Sequence, residues 1–138
     1  MTRRRVLLLL VCSTAVSFGF GAPSQLEHAK FFALGGIYES GQMSEGERAL
    51  RALLRSSDAT VSLEALVSHA SPAGQLYALL GLRSRDRAAY TRALQALRDK
   101  DVKVDTMRGC IAGSESFHTL VSEIEQGKYD TSLSRPAW

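Results

Sequence analysis

The sequence predicts an all-α fold, a compact bundle of five or six helices. Apolar residues recur at the three- and four-residue spacing of one helix face over much of residues 49–124. Residues that cap helices, and one proline in a first-turn position, precede several of these segments. The 138 residues, 45% hydrophobic and 22% charged, suffice for one domain that buries its own core.

A secretory signal peptide is predicted over residues 1–21. Three arginines at positions 3–5 precede an apolar run at 6–11, which is followed by small residues up to Ala22. This order is typical of export signals, because the charges stay in the cytoplasm while the apolar run enters the bilayer. We expect cleavage before Ala22 and a secreted or periplasmic protein, from a bacterial envelope or secreted fraction.

Two alternatives would keep the chain attached to a membrane. The segment from Val6 to Ala22 has only 17 residues, whereas a spanning helix needs about 20 mostly apolar ones. Acylation of Cys12 is the second alternative, but Val11 is larger than the small residue that lipoprotein signals carry before the cysteine. Cleavage is therefore favoured over both, and we expect no spanning helix once the signal is removed.

The mature chain is divided into a single helical domain at 22–127 and a polar tail at 128–138. A short helix is predicted over residues 24–34, because Gly35 and Gly36 follow it and favour a loop. The tail is polar up to its last three residues, and Trp138 either docks on the domain or stays free.

The motif Ser-Glu-Gly-Glu at residues 44–47 is a predicted capping box. In this motif the serine oxygen accepts from the amide of the last residue, and the glutamate reaches back to the serine amide. Apolar residues follow at helical spacing, so the motif predicts a helix that ends near residues 56–57.

Four further helices are predicted from their caps and apolar faces. The segment at 76–82 is apolar on nearly every side, so its helix should lie in the middle of the domain. Residues 102–112 are ambiguous, because their alternating start suits a strand and their end suits a buried helix. The candidate caps are Asp58 or Thr60, Ser71 with Pro72, Asp86, and Ser114 or Ser116.

Two short stretches match at an offset of 28 residues. Residues 54–58 resemble residues 82–86, and Gly81 coincides with Gly109. Over about residues 48–112 this pattern resembles the short HEAT-like helical repeat. The resemblance implies stacked antiparallel helical hairpins and a protein-binding scaffold rather than an enzyme. An irregular helical bundle is the alternative.

No residue pattern predicts a metal or cofactor site. His28, His69 and His118 share none of the spacings that place two ligands on one helix face. Cys110 is the single cysteine after the signal and lies in an apolar stretch, so we expect a buried, inert thiol. An enzyme that uses Cys110 as a nucleophile with a histidine as its base is the alternative.

Charge is unevenly distributed along the chain. The net charge of +3 comes from the arginines of the signal, and the remainder holds 14 basic and 14 acidic side chains. Residues 48–98 carry eight arginines, no lysine and three acids, whereas the acids exceed the bases on either side. The arginines near predicted turns form a predicted basic edge, namely Arg55, Arg83, Arg85 and Arg87. The alternative is a set of solvated arginines paired with the acidic ends of the chain.

These observations predict a non-enzymatic, exported binding or scaffold protein. Its expected partner is an acidic protein or an anionic envelope polymer that contacts the basic edge. Nucleic acid is not expected, because the mature chain is neutral overall and exported. Besides the enzyme, a module that associates with an anionic envelope surface is an alternative.

Overall fold

The structure is a computed structural model and describes residues 21–136. The predictions about the signal peptide, the acylation of Cys12 and the docking of Trp138 fall outside these residues.

Helices and a β-hairpin make up the described part of the chain. The all-α prediction is therefore wrong, because two antiparallel strands accompany the seven helices found in residues 21–136. In chain order the elements are α1 (Ala22–Glu27), α2 (Glu45–Leu54), α3 (Ala59–His69), α4 (Pro72–Arg85), α5 (Arg87–Leu97), β1 (Lys103–Arg108), β2 (Ile111–Ser116), α6 (Phe117–Glu125) and α7 (Asp130–Ser134).

The hairpin occupies the segment that the sequence left open between strand and helix. Arg108 pairs with Ile111 across a two-residue turn, in which Gly109 has a φ of +59°. A glycine with positive φ at the first turn position fits a tight hairpin, because the turn then follows the twist of the strands. Burial alternates along the first four residues of β1, as expected for a strand with one face on the core, and Val104 and Thr106 are its buried residues.

The first helix is shorter than predicted and gives way to an extended segment. Helix α1 ends at Glu27, and Phe32 then donates its amide to the carbonyl of Asp105, at 2.8 Å. Further along, the amide of Tyr38 donates to the carbonyl of Gly109. The segment at 32–38 thus lies beside β1, and this backbone pairing overrides the local tendency to form a helix.

Helix α4 lies at the centre of the core, as its composition predicts. The ring of Phe32 packs on Tyr77 of α4 and on Tyr129, with centroid distances of 4.9 and 5.2 Å. Residues assigned to the tail therefore contact the core, because Tyr129 is buried. The largest fully buried side chains of α4 are Leu76, Tyr77, Leu79, Leu80 and Leu82.

The predicted helix caps are largely present. Ser44, Ser71, Asp86 and Ser116 each accept a hydrogen bond from a backbone amide of the first helical turn, at 3.0 or 3.1 Å. Asp58 occupies the cap position of α3 without making a side-chain cap. Such a cap stabilises a helix by about 1 kcal/mol, so local sequence sets where four of the helices begin.

None of the helices within residues 21–136 combines the length and the apolar character needed to cross a membrane.

Candidate functional site

The structure places the four predicted arginines at the ends of three helices. Arg55 follows the last residue of α2, Arg83 and Arg85 lie in the last turn of α4, and Arg87 begins α5. Arg55, Arg85 and Arg87 are exposed, and Arg83 is half-buried.

Two of these arginines line a shallow cavity of about 420 Å³, which we call the turn groove. Arg55 and Arg85 are not among its lining residues. Because Leu54 lines the groove, the end of α2 lies beside the turn between α4 and α5. The lining residues are Leu54, Arg83, Ser84, Arg87, Asp130, Leu133 and Ser134.

The guanidinium of Arg83 contacts two other side chains, those of Asp130 and Tyr90. Its Nε and Nη2 donate to the two carboxylate oxygens of Asp130, at 3.4 and 3.3 Å. Its guanidinium carbon lies 6.0 Å from the centre of the Tyr90 ring. The hydrogen bonds to Asp130 raise the pKa of Arg83 above its usual value. Of the four predicted arginines, Arg83 therefore follows the alternative interpretation, in which the arginines pair with acidic residues near the ends of the chain.

A second cavity, of about 740 Å³, lies beside the start of α2 and was not predicted. We call it the glycine-loop cavity. It is bounded by the loop after Leu34, by one side of α2 and by the C-terminal segment. Its lining residues are Gly35, Gly36, Ser40, Gly41, Gln42, Met43, Glu47, Arg48, Arg51, Ser132, Arg135 and Pro136.

Glu47 is a buried carboxylate in the wall of this cavity. Its side chain is only 2% exposed, and both of its carboxylate oxygens accept hydrogen bonds. One oxygen accepts from the amide of Gly35 at 3.0 Å, and the other accepts from Nε and Nη2 of Arg51 at 3.1 and 2.9 Å. The second half of the predicted capping box is therefore wrong, because Glu47 bonds these groups instead of the amide of Ser44.

Arg51 joins α2 to the C-terminal segment. Besides its pair with Glu47, it donates to the backbone carbonyls of Ser132 and Arg135. All three nitrogens of the guanidinium are thus used, and the side chain is mostly buried. Two donors of the guanidinium thus converge on one carboxylate oxygen of Glu47, and its remaining donors bind the C-terminal segment.

A buried polar cluster supports the loop from below. The Tyr77 hydroxyl accepts from the amide of Ala33 and donates to its carbonyl, and it lies 3.2 Å from Ser44 Oγ. Burial raises the pKa of Tyr77, which keeps the hydroxyl protonated as a donor. Gly46 is required here, because an added Cβ would come within 2.4 Å of the Tyr77 ring.

The candidate nucleophile, Cys110, lines neither of these two cavities. Cys110 is exposed in the hairpin turn, so the prediction of a buried thiol is wrong. The tight turn at Gly109 carries its neighbour into solvent instead of into the core. His28, His69 and His118 are also exposed and lie on separate elements. Within residues 21–136, no group of three or more His, Cys, Asp or Glu residues is arranged to hold a metal ion.

No protein-family model, curated protein or solved structure matches this chain.

Proposed function

We propose that this chain is a non-enzymatic, exported binding protein whose turn groove takes an acidic, partly apolar segment of a protein partner. The observation that carries the proposal is the position of Asp130, a carboxylate of the chain itself, on Arg83 inside the groove. A partner carboxylate could replace or extend this contact, because Arg87 lies exposed in the same groove.

The composition of the groove supports a protein segment over an anionic polymer. Leu54 and Leu133 are half-buried in its wall and offer apolar surface in the same groove as the arginines. Guanidinium groups bind carboxylates through parallel hydrogen bonds, and apolar surface favours a side chain over a sugar phosphate or a free anion. Exposed Arg55 and Arg85 extend the positive charge beyond the groove.

A labelled peptide of alternating Glu and Leu residues tests the proposal by fluorescence anisotropy. Charged hydrogen bonds contribute about 1.5–3 kcal/mol each, so Arg87→Ser should weaken binding at least about tenfold. The matched control is Arg98→Ser, which removes the same charge from an exposed position outside the groove. Added salt should weaken binding to the parent protein.

A third variant examines the contact inside the groove. Asp130→Asn removes the internal carboxylate from Arg83 and should tighten peptide binding. Equal weakening by Arg87→Ser and Arg98→Ser would show that only net charge matters, and no weakening by either would overturn the proposed site. Polyglutamate binding as tightly as the mixed peptide would favour an anionic polymer as the partner.

A further inference from the structure

We infer that the glycine-loop cavity binds a small molecule through a phosphate or carboxylate group held by Arg48 and Arg135. This site uses residues other than those of the turn groove and does not depend on the function proposed above.

The charges inside the cavity do not cancel. Its lining includes three arginines and one glutamate. Glu47 and Arg51 neutralise each other, since they form a pair at 2.9 Å that is almost fully buried. Arg48 and Arg135 have no acidic partner among residues 21–136, and both are exposed. Two positive charges therefore face a concave surface without compensation.

Arg51 cannot serve as the ligand's main contact. Its guanidinium is already occupied by Glu47 and by the carbonyls of Ser132 and Arg135. Arg48, by contrast, makes one hydrogen bond of 3.3 Å to the carbonyl of Met43 and keeps most of its donors. The fork of such an arginine matches two oxygens of a phosphate or a carboxylate.

The opposite wall of the cavity allows a ligand to approach the backbone closely. Gly35, Gly36 and Gly41 contribute no side chains there. The two limbs of the loop touch, because a Cβ on Gly36 would come within 2.9 Å of the Gly41 Cα. The volume of about 740 Å³ lies within the usual size of small-molecule sites.

The remaining lining residues favour a polar ligand. Ser40, Gln42 and Ser132 can form hydrogen bonds, whereas Met43 and Pro136 are the main apolar groups. This composition differs from that of the turn groove, whose lining includes two leucines. The ligand is therefore a compact polar anion, with oxygens beyond the one group that the arginines bind.

Titration calorimetry on the purified chain tests the site with inorganic phosphate, pyrophosphate, succinate and citrate. The probes separate the two sources of the charge, because binding of the first two alone indicates a phosphoryl compound and binding of the last two alone indicates a carboxylic acid. Arg48→Gln and Arg135→Gln should each weaken the bound probe at least about tenfold. Arg98→Gln, an exposed arginine outside this cavity, is the matched control.

Backbone amide shifts locate the bound probe. The amides of Gly36 and Gly41 should move on titration, and the double change of Arg48 and Arg135 should abolish the movement. Failure of all four probes to bind at millimolar concentration would overturn the inference, as would unchanged binding to the double variant. Arg87→Ser should leave probe binding intact, so this site and the turn groove can fail independently.

Discussion

Helix α4 and the β1–β2 hairpin differ strongly in how much of each is buried. Ten of the 14 residues of α4 are buried, and the helix is surrounded by other elements. None of the six residues of β2 is buried. The composition of α4 alone therefore predicts the helix at the centre of the core. The hairpin instead forms through a tight turn and through pairing with residues 32–38, which are far away along the chain.

This contrast separates stability from accessibility. Substitutions at the buried positions of α4 act on packing, because these side chains belong to the hydrophobic core. Substitutions at the tip of the hairpin act on a surface that solvent and other molecules reach, as the 75% exposure of Ile111 indicates. Matched changes in the two regions therefore separate packing from accessibility.

The largest difference is expected from truncating one aliphatic side chain in each region. Leu79→Ala should lower the free energy of unfolding by about 2–5 kcal/mol, because Leu79 is fully buried and its removal leaves a cavity. Ile111→Ala should change it by less than about 0.5 kcal/mol. Denaturant unfolding of both variants measures the difference, and equal losses would show that the hairpin is packed against a surface in solution.

A smaller difference is expected from adding a methyl group to one glycine in each region. Gly74→Ala in α4 should cost about 1–3 kcal/mol, because the new Cβ would meet the carbonyl oxygen of Leu26 at 2.1 Å. Gly109→Ala in the hairpin should cost about 1 kcal/mol for a different reason, since open space surrounds it but its φ is +59°.

Asparagine distinguishes these two causes. Asn tolerates the left-handed conformation, so Gly109→Asn should recover most of the stability that alanine loses there. Gly74→Asn should be no better than Gly74→Ala, because the obstacle is backbone and not conformation. Recovery at position 74 would indicate that α1 shifts easily away from α4.

Local sequence predicts much of the helical part and little of the hairpin. Ser71 with Pro72 and Asp86 mark the starts of α4 and α5, since a cap needs only neighbouring atoms. The 28-residue match, by contrast, pairs Gly81 with Gly109. Gly81 is a helical glycine packed against Leu50 and Leu63, and Gly109 turns a hairpin. Two glycines that match in the sequence thus have unrelated structural roles.

The same limit applies to the two candidate sites. Charge along the chain identified the arginines of the turn groove, although it did not identify Asp130 as the partner of Arg83. The glycine-loop cavity was not predicted because the sequence pattern assigned Glu47 to a local capping box, whereas Glu47 binds Gly35 and Arg51. Its burial depends on Gly35 and on a C-terminal segment more than 80 residues away along the chain, through Arg51.

The smallest effect on stability, and the sharpest on reactivity, is expected at Cys110. Cys110→Ser should change the free energy of unfolding by less than about 0.5 kcal/mol, because the side chain is exposed in the turn. Ellman's reagent should react with the native protein about as fast as with the unfolded chain, since no core must open first. Slow native labelling would mean that another molecule or a second copy covers the hairpin tip.

A native rate far above that of N-acetylcysteine at the same pH would instead indicate an activated thiolate and support the enzyme alternative. Because Cys110 lines neither cavity, its alkylation should leave peptide and anion binding unchanged, and a loss of either would connect the hairpin to the sites.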